Sequence, residues 1–251
     1  MLKTRIITCL LLKNSRLVKT TNFKNPVYIG DPINAVKIYN EKEVDELIFL
    51  DISASVEKRK PPLETIYEIA TECFMPFTYG GGIKDLEDAK KIFNLGVEKI
   101  TINTSAVENP SLITKISRVF GSQSVIVSID VKKTWKGYKV FTYSGTKNTG
   151  LDPVEWALKA QQMGAGEILL TSIDKEGSME GYDLDLISKI SEKISMPLIA
   201  HGGAGELKHI AEGKKAGASA LAAGSLFVYQ GRIRSVLINY PTKSELIELL
   251  E

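Results

Sequence analysis

Apolar, largely β-branched runs recur along the chain at residues 6–12, 47–52, 77–79, 100–102, 125–131, 168–173, 198–200 and 220–223. Each is short and nearly continuous, the pattern of a strand buried on both faces of a parallel sheet. Between them apolar residues fall three and four apart, as at Leu63, Ile66, Ile69 and Ala70, which predicts helices with one buried face. Further helices are expected to begin near Asp31, Asp85, Asn109, Asp152, Asp183 and Glu206, and a last one covers residues 244–251. Asp31-Pro32, Asn109-Pro110 and Asp152-Pro153 are helix-start signals. Eight strand–helix units predict an α/β fold closed into a (β/α)8 TIM barrel, in a single domain over residues 1–251. An open doubly wound sheet is the rival, but the unit lengths fit the barrel better.

One segment breaks the rhythm. Residues 132–150 read KKTWKGYKVFTYSGTKNTG and alternate about a Lys136-Gly137 turn, which predicts a hairpin inserted after the fifth strand. The chain also repeats itself, in halves of about 1–120 and 121–251. Phe49-Leu50-Asp51-Ile52 resembles Thr171-Ser172-Ile173-Asp174, and Tyr79-Gly80-Gly81-Gly82 resembles His201-Gly202-Gly203-Ala204. Asn103-Thr104-Ser105 resembles Gly224-Ser225-Leu226. Two similar half-barrels account for these pairs and predict matched sites across a pseudo-two-fold axis.

Composition narrows the function. With 43% hydrophobic and 25% charged residues the chain can bury a large core, and disorder is excluded. A net charge of +2 argues against nucleic acid or a membrane surface as partner, so any anion site must be local. Cys9 and Cys73 form neither a disulfide scaffold nor a metal cluster, and Cys9 reads as a buried small side chain. No apolar run reaches the ~18 residues of a membrane span. The run at 6–12 is short for a signal peptide and no small-residue cleavage site follows it. A cytoplasmic protein with no metal and no cofactor is the expectation.

In such barrels the C-terminal ends of the strands carry the chemistry. There the sequence places Gly81, Gly82, Asn103 and Thr104 in the first half and Gly202, Gly203, Gly224 and Ser225 in the second. Glycine turns let backbone N–H groups approach an anion, and a following helix N-terminus adds a favourable dipole. Two such clusters predict a ligand with two phosphates; a purely steric turn is the alternative for each alone. Asp130, ending the fifth strand, is a candidate general acid or base, or else a hydrogen-bond anchor. Its repeat mate is Leu11, which cannot transfer a proton. At the opposite end Arg5, Glu46, Lys99 and Glu167 stand at strand starts. Pointing inward, they would pair as a neutral ring gating a small polar passage; pointing outward, they are four solvated charges. His201 could touch a ligand, whereas His209, beside Lys208 on a polar helix, is expected to be exposed.

The motifs FLDI, SVEKRK, GGGI, INTSAVENPSLIT, FTYSG, KNTG, GAGEILLTSID and GGAG, in this order, resemble the cyclase subunit family of imidazole glycerol phosphate synthase over nearly the whole chain. The resemblance implies a barrel that receives ammonia from a glutaminase docked at its N-terminal face and meets a bis-phosphorylated small molecule at the other. By position, Arg5, Glu46, Lys99 and Glu167 match the family's ammonia gate, and Glu98 an acidic position at the glutaminase interface. Gly82, Asn103 and Thr104 match one phosphate site, and Gly177, Gly203, Gly224 and Ser225 the other; Gly81, Gly202 and Thr171 lie in the same matched motifs. Lys19 matches the family's mobile active-site loop.

The departures fall in the site. Leu11 stands where the family has an aspartate, while Asp130 retains the second one. Ser15 and Thr20 replace glycines, Glu176 an aspartate and His201 a serine. Breaking an acid–base pair should remove ~10²–10⁴-fold in rate. An intact gate above a broken pair is similar to the acetamidino-modification branch of the family, whose opening text looks close to residues 9–14 and 28–52 here. That resemblance implies ammonia delivery to a separate ATP-dependent enzyme that amidates a surface-polysaccharide sugar. A working cyclase of histidine biosynthesis is the alternative, and a non-catalytic activator of the glutaminase the third reading.

Overall fold

The computed structural model describes residues 4–231 and 233–250. In chain order the elements begin with strands β1 (Arg5–Lys13), β2 (Arg16–Thr21) and β3 (Lys24–Gly30), helix α1 (Pro32–Glu41), β4 (Glu46–Asp51) and α2 (Leu63–Glu72). There follow β5 (Phe77–Gly80), α3 (Leu86–Phe93), β6 (Lys99–Ile102), α4 (Thr104–Glu108), α5 (Ser111–Phe120), β7 (Val125–Thr134), β8 (Gly137–Thr142) and β9 (Lys147–Asn148). The second half continues with α6 (Pro153–Gln162), β10 (Glu167–Ser172), α7 (Leu184–Ser191), β11 (Leu198–His201), α8 (Leu207–Lys215) and β12 (Ala220–Ala223). Helix α9 (Ser225–Val228), a short β13–β14 pair (Tyr229–Gln230 and Ser235–Val236) and α10 (Lys243–Leu250) complete the chain.

Strands β1, β4, β5, β6, β7, β10, β11 and β12 pair in parallel in that circular order, and the β10–β7 and β1–β12 pairings close the barrel. This is the (β/α)8 TIM barrel expected. Alternation splits six of the eight barrel strands between two cores, while the apolar residues of β5 and β6 pack on the helix side alone. Ile7, Cys9, Ile48, Ile126, Leu169, Ile199, Ala220 and Ala222 fill the barrel, and the opposite faces pack on the helices around Tyr39, Phe49, Phe77 and Phe227. Burial on both faces is why the strands read as continuous apolar runs.

The helices start where the sequence places them. Asp31, Asp85, Asp152 and Asp183 accept hydrogen bonds from backbone N–H groups of the first turn, each such cap stabilising by ~1 kcal/mol. The Asn109-Pro110 signal is displaced by a short turn: Asn109 ends α4, and α5 begins at Ser111.

Two hairpins rise from the C-terminal end of the barrel. The expected one is β7–β8, paired from Asp130–Phe141 to Thr134–Gly137, with β9 added at its edge. The other, β2–β3, extends β1 by antiparallel pairing and occupies the stretch matched to a mobile loop. Its turn is made by Asn22 and Phe23, both with positive φ. No helix among the described residues is long and apolar enough to cross a membrane.

Candidate active site

At the N-terminal end the four predicted charges form a closed ring. Arg5 Nη1 lies 2.7 Å from Glu46 Oε2, and Arg5 Nη2 lies 2.6 Å from Glu167 Oε2. Lys99 Nζ is 3.3 Å from Glu46 Oε1 and 2.7 Å from Glu167 Oε1. Each anion thus touches both cations, the arrangement that lets buried charges persist. Burial works against the Arg5 charge, but the hydrogen bonds and charges of Glu167 and Glu46 outweigh it and hold the guanidinium above its ordinary value. Thr78 Oγ1, from the barrel wall, donates to Glu46 Oε1 at 3.2 Å. Glu98 is exposed just before β6, its carboxylate accepting from Phe77 N at 2.8 Å.

At the C-terminal end a cavity of about 330 Å³ opens over the barrel axis, lined among others by Leu11, Gly81, Gly82, Asn103, Thr104, Asp130, Thr171 and His201. Asp130 lines it from β7. Asn103 Nδ2 donates to Asp130 Oδ2 at 2.7 Å and Ser128 Oγ to Oδ1 at 3.2 Å. Burial pushes this carboxyl up to about 7 despite those donors, with the charge of Glu176 acting in the same direction. Leu11 is 4% exposed and lies opposite Leu50 in the β1–β4 register, so an apolar wall stands where the repeat would place a second acid. His201 is buried with Nδ1 3.1 Å from Thr171 Oγ1, and burial, then Lys19, push its imidazole down to about 3. It is neutral at physiological pH.

The two phosphate-type clusters lie on separate sides of this mouth. The first is formed by Gly81 and Gly82 with Asn103 and Thr104. The second is a tighter cleft of about 10 Å³ lined by Lys19, Glu176, Gly177, Gly202, Gly203, Gly224 and Ser225. One expectation is corrected here. The glycine turns after β5 and β11 do not open into helices, since α3 and α8 start only at Leu86 and Leu207. The helix N-termini come instead from the neighbouring strands, through α4 at Thr104 and α9 at Ser225.

Lys19 is 3% exposed, with Nζ 3.6 Å from Glu176 Oε1, because the β2–β3 hairpin folds over the second cleft. Asn22 Nδ2 donates to Ile173 O at 3.1 Å and Asp174 O at 2.7 Å, and Phe23 N donates to Glu176 Oε2 at 3.1 Å. Gly177 makes this approach possible: its φ is +73°, and a Cβ there would stand 2.2 Å from Thr20 O.

One further residue of the mouth, Asp51, carried no role in the sequence reading. Asp51 Oδ1 accepts from the backbone N of Ser53 and of Ala54, both at 3.0 Å, and Arg59 Nη2 lies 3.5 Å from Asp51 Oδ2. The repeat was the signal available, since Asp51 pairs with Asp174 in it. His209 corrects the sequence in the other direction. It is 8% exposed, accepts from Gly205 N through Nδ1 at 3.1 Å, and has Nε2 3.2 Å from Glu206 Oε1.

The family described as "Histidine biosynthesis protein" matches residues 5–234. The "Putative imidazole glycerol phosphate synthase subunit hisF2" of Pseudomonas aeruginosa is 52% identical over 248 residues, 98% of this chain and 99% of that protein. "Imidazole glycerol phosphate synthase subunit HisF" of a Thermotoga species is 50% identical over 230 residues, 92% and 91% of the two chains. The same-named protein of Exiguobacterium sibiricum is 48% identical over 227 residues, 90% and 91%. A charge ring below a mouth with two glycine-lined clusters is thus carried by a chain that belongs to the histidine biosynthesis protein family.

Proposed function

We propose that this barrel is the cyclase subunit of an imidazole glycerol phosphate synthase and works in the cytoplasm with a glutaminase partner. Ammonia released by that partner at the N-terminal face enters through the Arg5–Glu46–Lys99–Glu167 ring and meets a bis-phosphorylated substrate at the mouth. The observation that carries this reading is the closed ring at one end of a barrel whose other end holds two separate anion clusters. The names of the relatives support it over sugar amidation.

The residues divide the work by position. Lys19 with Gly177, Gly203, Gly224 and Ser225 holds one phosphate, and Gly82, Asn103 and Thr104 hold the other, so the reacting centre spans the axis above Asp130. A carboxyl near 7 exists in both forms at neutral pH and can give or take a proton as nitrogen is added. Shifting the Lys99 ammonium off Glu167 opens the ring toward Thr78 and the barrel interior. Glu98, exposed beside it, faces the docked glutaminase.

One observation favours a second reading. Leu11 denies the site a carboxylate on β1, as a barrel that only delivers ammonia to a separate sugar-amidating, ATP-dependent enzyme would tolerate. Turnover with the bis-phosphorylated aminoimidazole-precursor substrate and ammonium at mildly alkaline pH separates the two, in wild type and Leu11→Asp. Wild-type turnover is the expected result. Turnover absent in wild type but present in Leu11→Asp would overturn the cyclase reading and leave ammonia delivery in its place.

A further inference from the structure

Addition of ammonia to a carbonyl-type carbon is a two-proton problem. The new C–N bond leaves one proton too many on nitrogen, and the C=O pair moves to oxygen, which lacks one. A single carboxyl near 7 can serve one end of this at a time. The other end needs a second titratable group facing the cavity, and Leu11 is not one.

The side chains around the mouth leave few choices. The Cys9 thiol is fully buried and pushed up to about 12 by burial. His201 is pushed down to about 3 and is a weak base. Asp51 is committed to the Ser53 and Ala54 amides and to Arg59. Glu57 is paired outward with Arg59 at 2.5 Å. Glu176 is different. It is 1% exposed and lines both the main cavity and the second cleft. Its Oε2 is anchored by Phe23 N, whereas the buried Oε1 accepts no hydrogen bond and has only the Lys19 ammonium 3.6 Å away. A buried carboxylate oxygen left without a donor is costly and is retained where something else uses it.

We propose that Glu176 is the second proton-transfer group of this site, acting with Asp130 across the cavity that both line. This rests on the cyclase reading. As nitrogen adds, the Glu176 carboxylate takes the surplus proton from nitrogen and protonated Asp130 gives its own to oxygen. The site is then left with Glu176 neutral and Asp130 ionised, and a proton returning from the first to the second resets it. Among the described residues the titratable and charged groups around Glu176 are Lys19 from the β2–β3 hairpin, Cys9 from β1, Asp130 from β7, His201 from β11 and Tyr229 after α9, with Arg234 donating to the adjoining Gly177 O at 3.3 Å.

The test is the pH dependence of turnover with ammonium as the nitrogen source, expressed per free ammonia, for the full chain. Wild type should show two limbs, a basic one as Asp130 loses its proton and an acid one as Glu176 gains one. Glu176→Gln should lose about 10²–10⁴-fold in kcat with KM within about threefold, and should lose the acid limb. Glu176→Asp should keep that limb. Glu176→Gln turnover within about threefold of wild type overturns the proposal, as does a rise in KM at unchanged kcat, which would mark a residue that only holds the hairpin. A wild-type profile with the basic limb alone overturns it too, whatever the variant does. A wild type without turnover removes the cyclase reading itself, a result distinct from an active wild type matched by Glu176→Gln.

Discussion

Asp130 is the candidate acid–base residue of the mouth, and its environment makes a prediction that needs no substrate. A carboxyl in an unfolded chain titrates near 4, whereas burial holds Asp130 at about 7. Between those values the native protein keeps a proton that the unfolded chain has released, so this group's contribution to stability falls as pH rises from about 4 to about 7. Asp130→Asn removes the titration while keeping the Ser128 and Asn103 neighbours. Its melting temperature should therefore gain on wild type between about pH 5 and about pH 8, with most of the gain in place by about pH 7. Thermal melts across that range check it; an unchanged difference between the two proteins would contradict burial as the cause. The same substitution should cost about 10²–10⁴-fold in ammonium-dependent turnover.

At the scale of elements the β2–β3 hairpin decides whether the second cleft exists. Only the hairpin brings Lys19 there, and it is held by Asn22, Phe23 and the absence of a side chain at Gly177. Gly177→Ala puts a methyl group 2.2 Å from Thr20 O on a backbone at φ +73°. The strain, of order 1–3 kcal/mol, is relieved by lifting the hairpin. Affinity for a bis-phosphorylated ligand should drop about tenfold, as calorimetric titration would read, corresponding to ~1.4 kcal/mol. Limited proteolysis should find new cuts within residues 16–30. Unchanged affinity would mean that the hairpin does not build the phosphate site.

Across the whole molecule the charge ring and the mouth stand at opposite ends of the barrel, and the proposed gate is tested by what passes between them. Lys99→Ala leaves Arg5 as the one cation of the ring paired with Glu46 and Glu167. With a glutaminase bound, glutamine hydrolysis should continue while product per glutamine falls, and turnover with free ammonium should stay within about threefold of wild type. Paired assays with the two nitrogen sources measure this. Equal losses with both would show that the ring is structural and not a gate.

The fold was legible because its strongest signal is local. Strands buried on both faces must be apolar throughout, helices carry Asp caps and a three-to-four period, and that alternation admits little besides a barrel. The charge ring and Asp130 were legible for a related reason, since a strand's end places its terminal side chain at a barrel rim. What depends on contacts distant in sequence was not legible. Lys19 and Thr20 are polar residues in a stretch that reads as a loop, buried only because Gly177, some 157 positions on, lets the hairpin land. Glu176 gains its place through Lys19 and Phe23, and His209 is covered by Gly205 and Glu206 rather than displayed on a polar helix. Hydrophobic period and strand-end position are properties of the chain read in order. Burial of a charge, the donors it meets and the carboxyl it perturbs belong to the closed barrel, because only closure sets those groups side by side in a medium that makes their interactions strong.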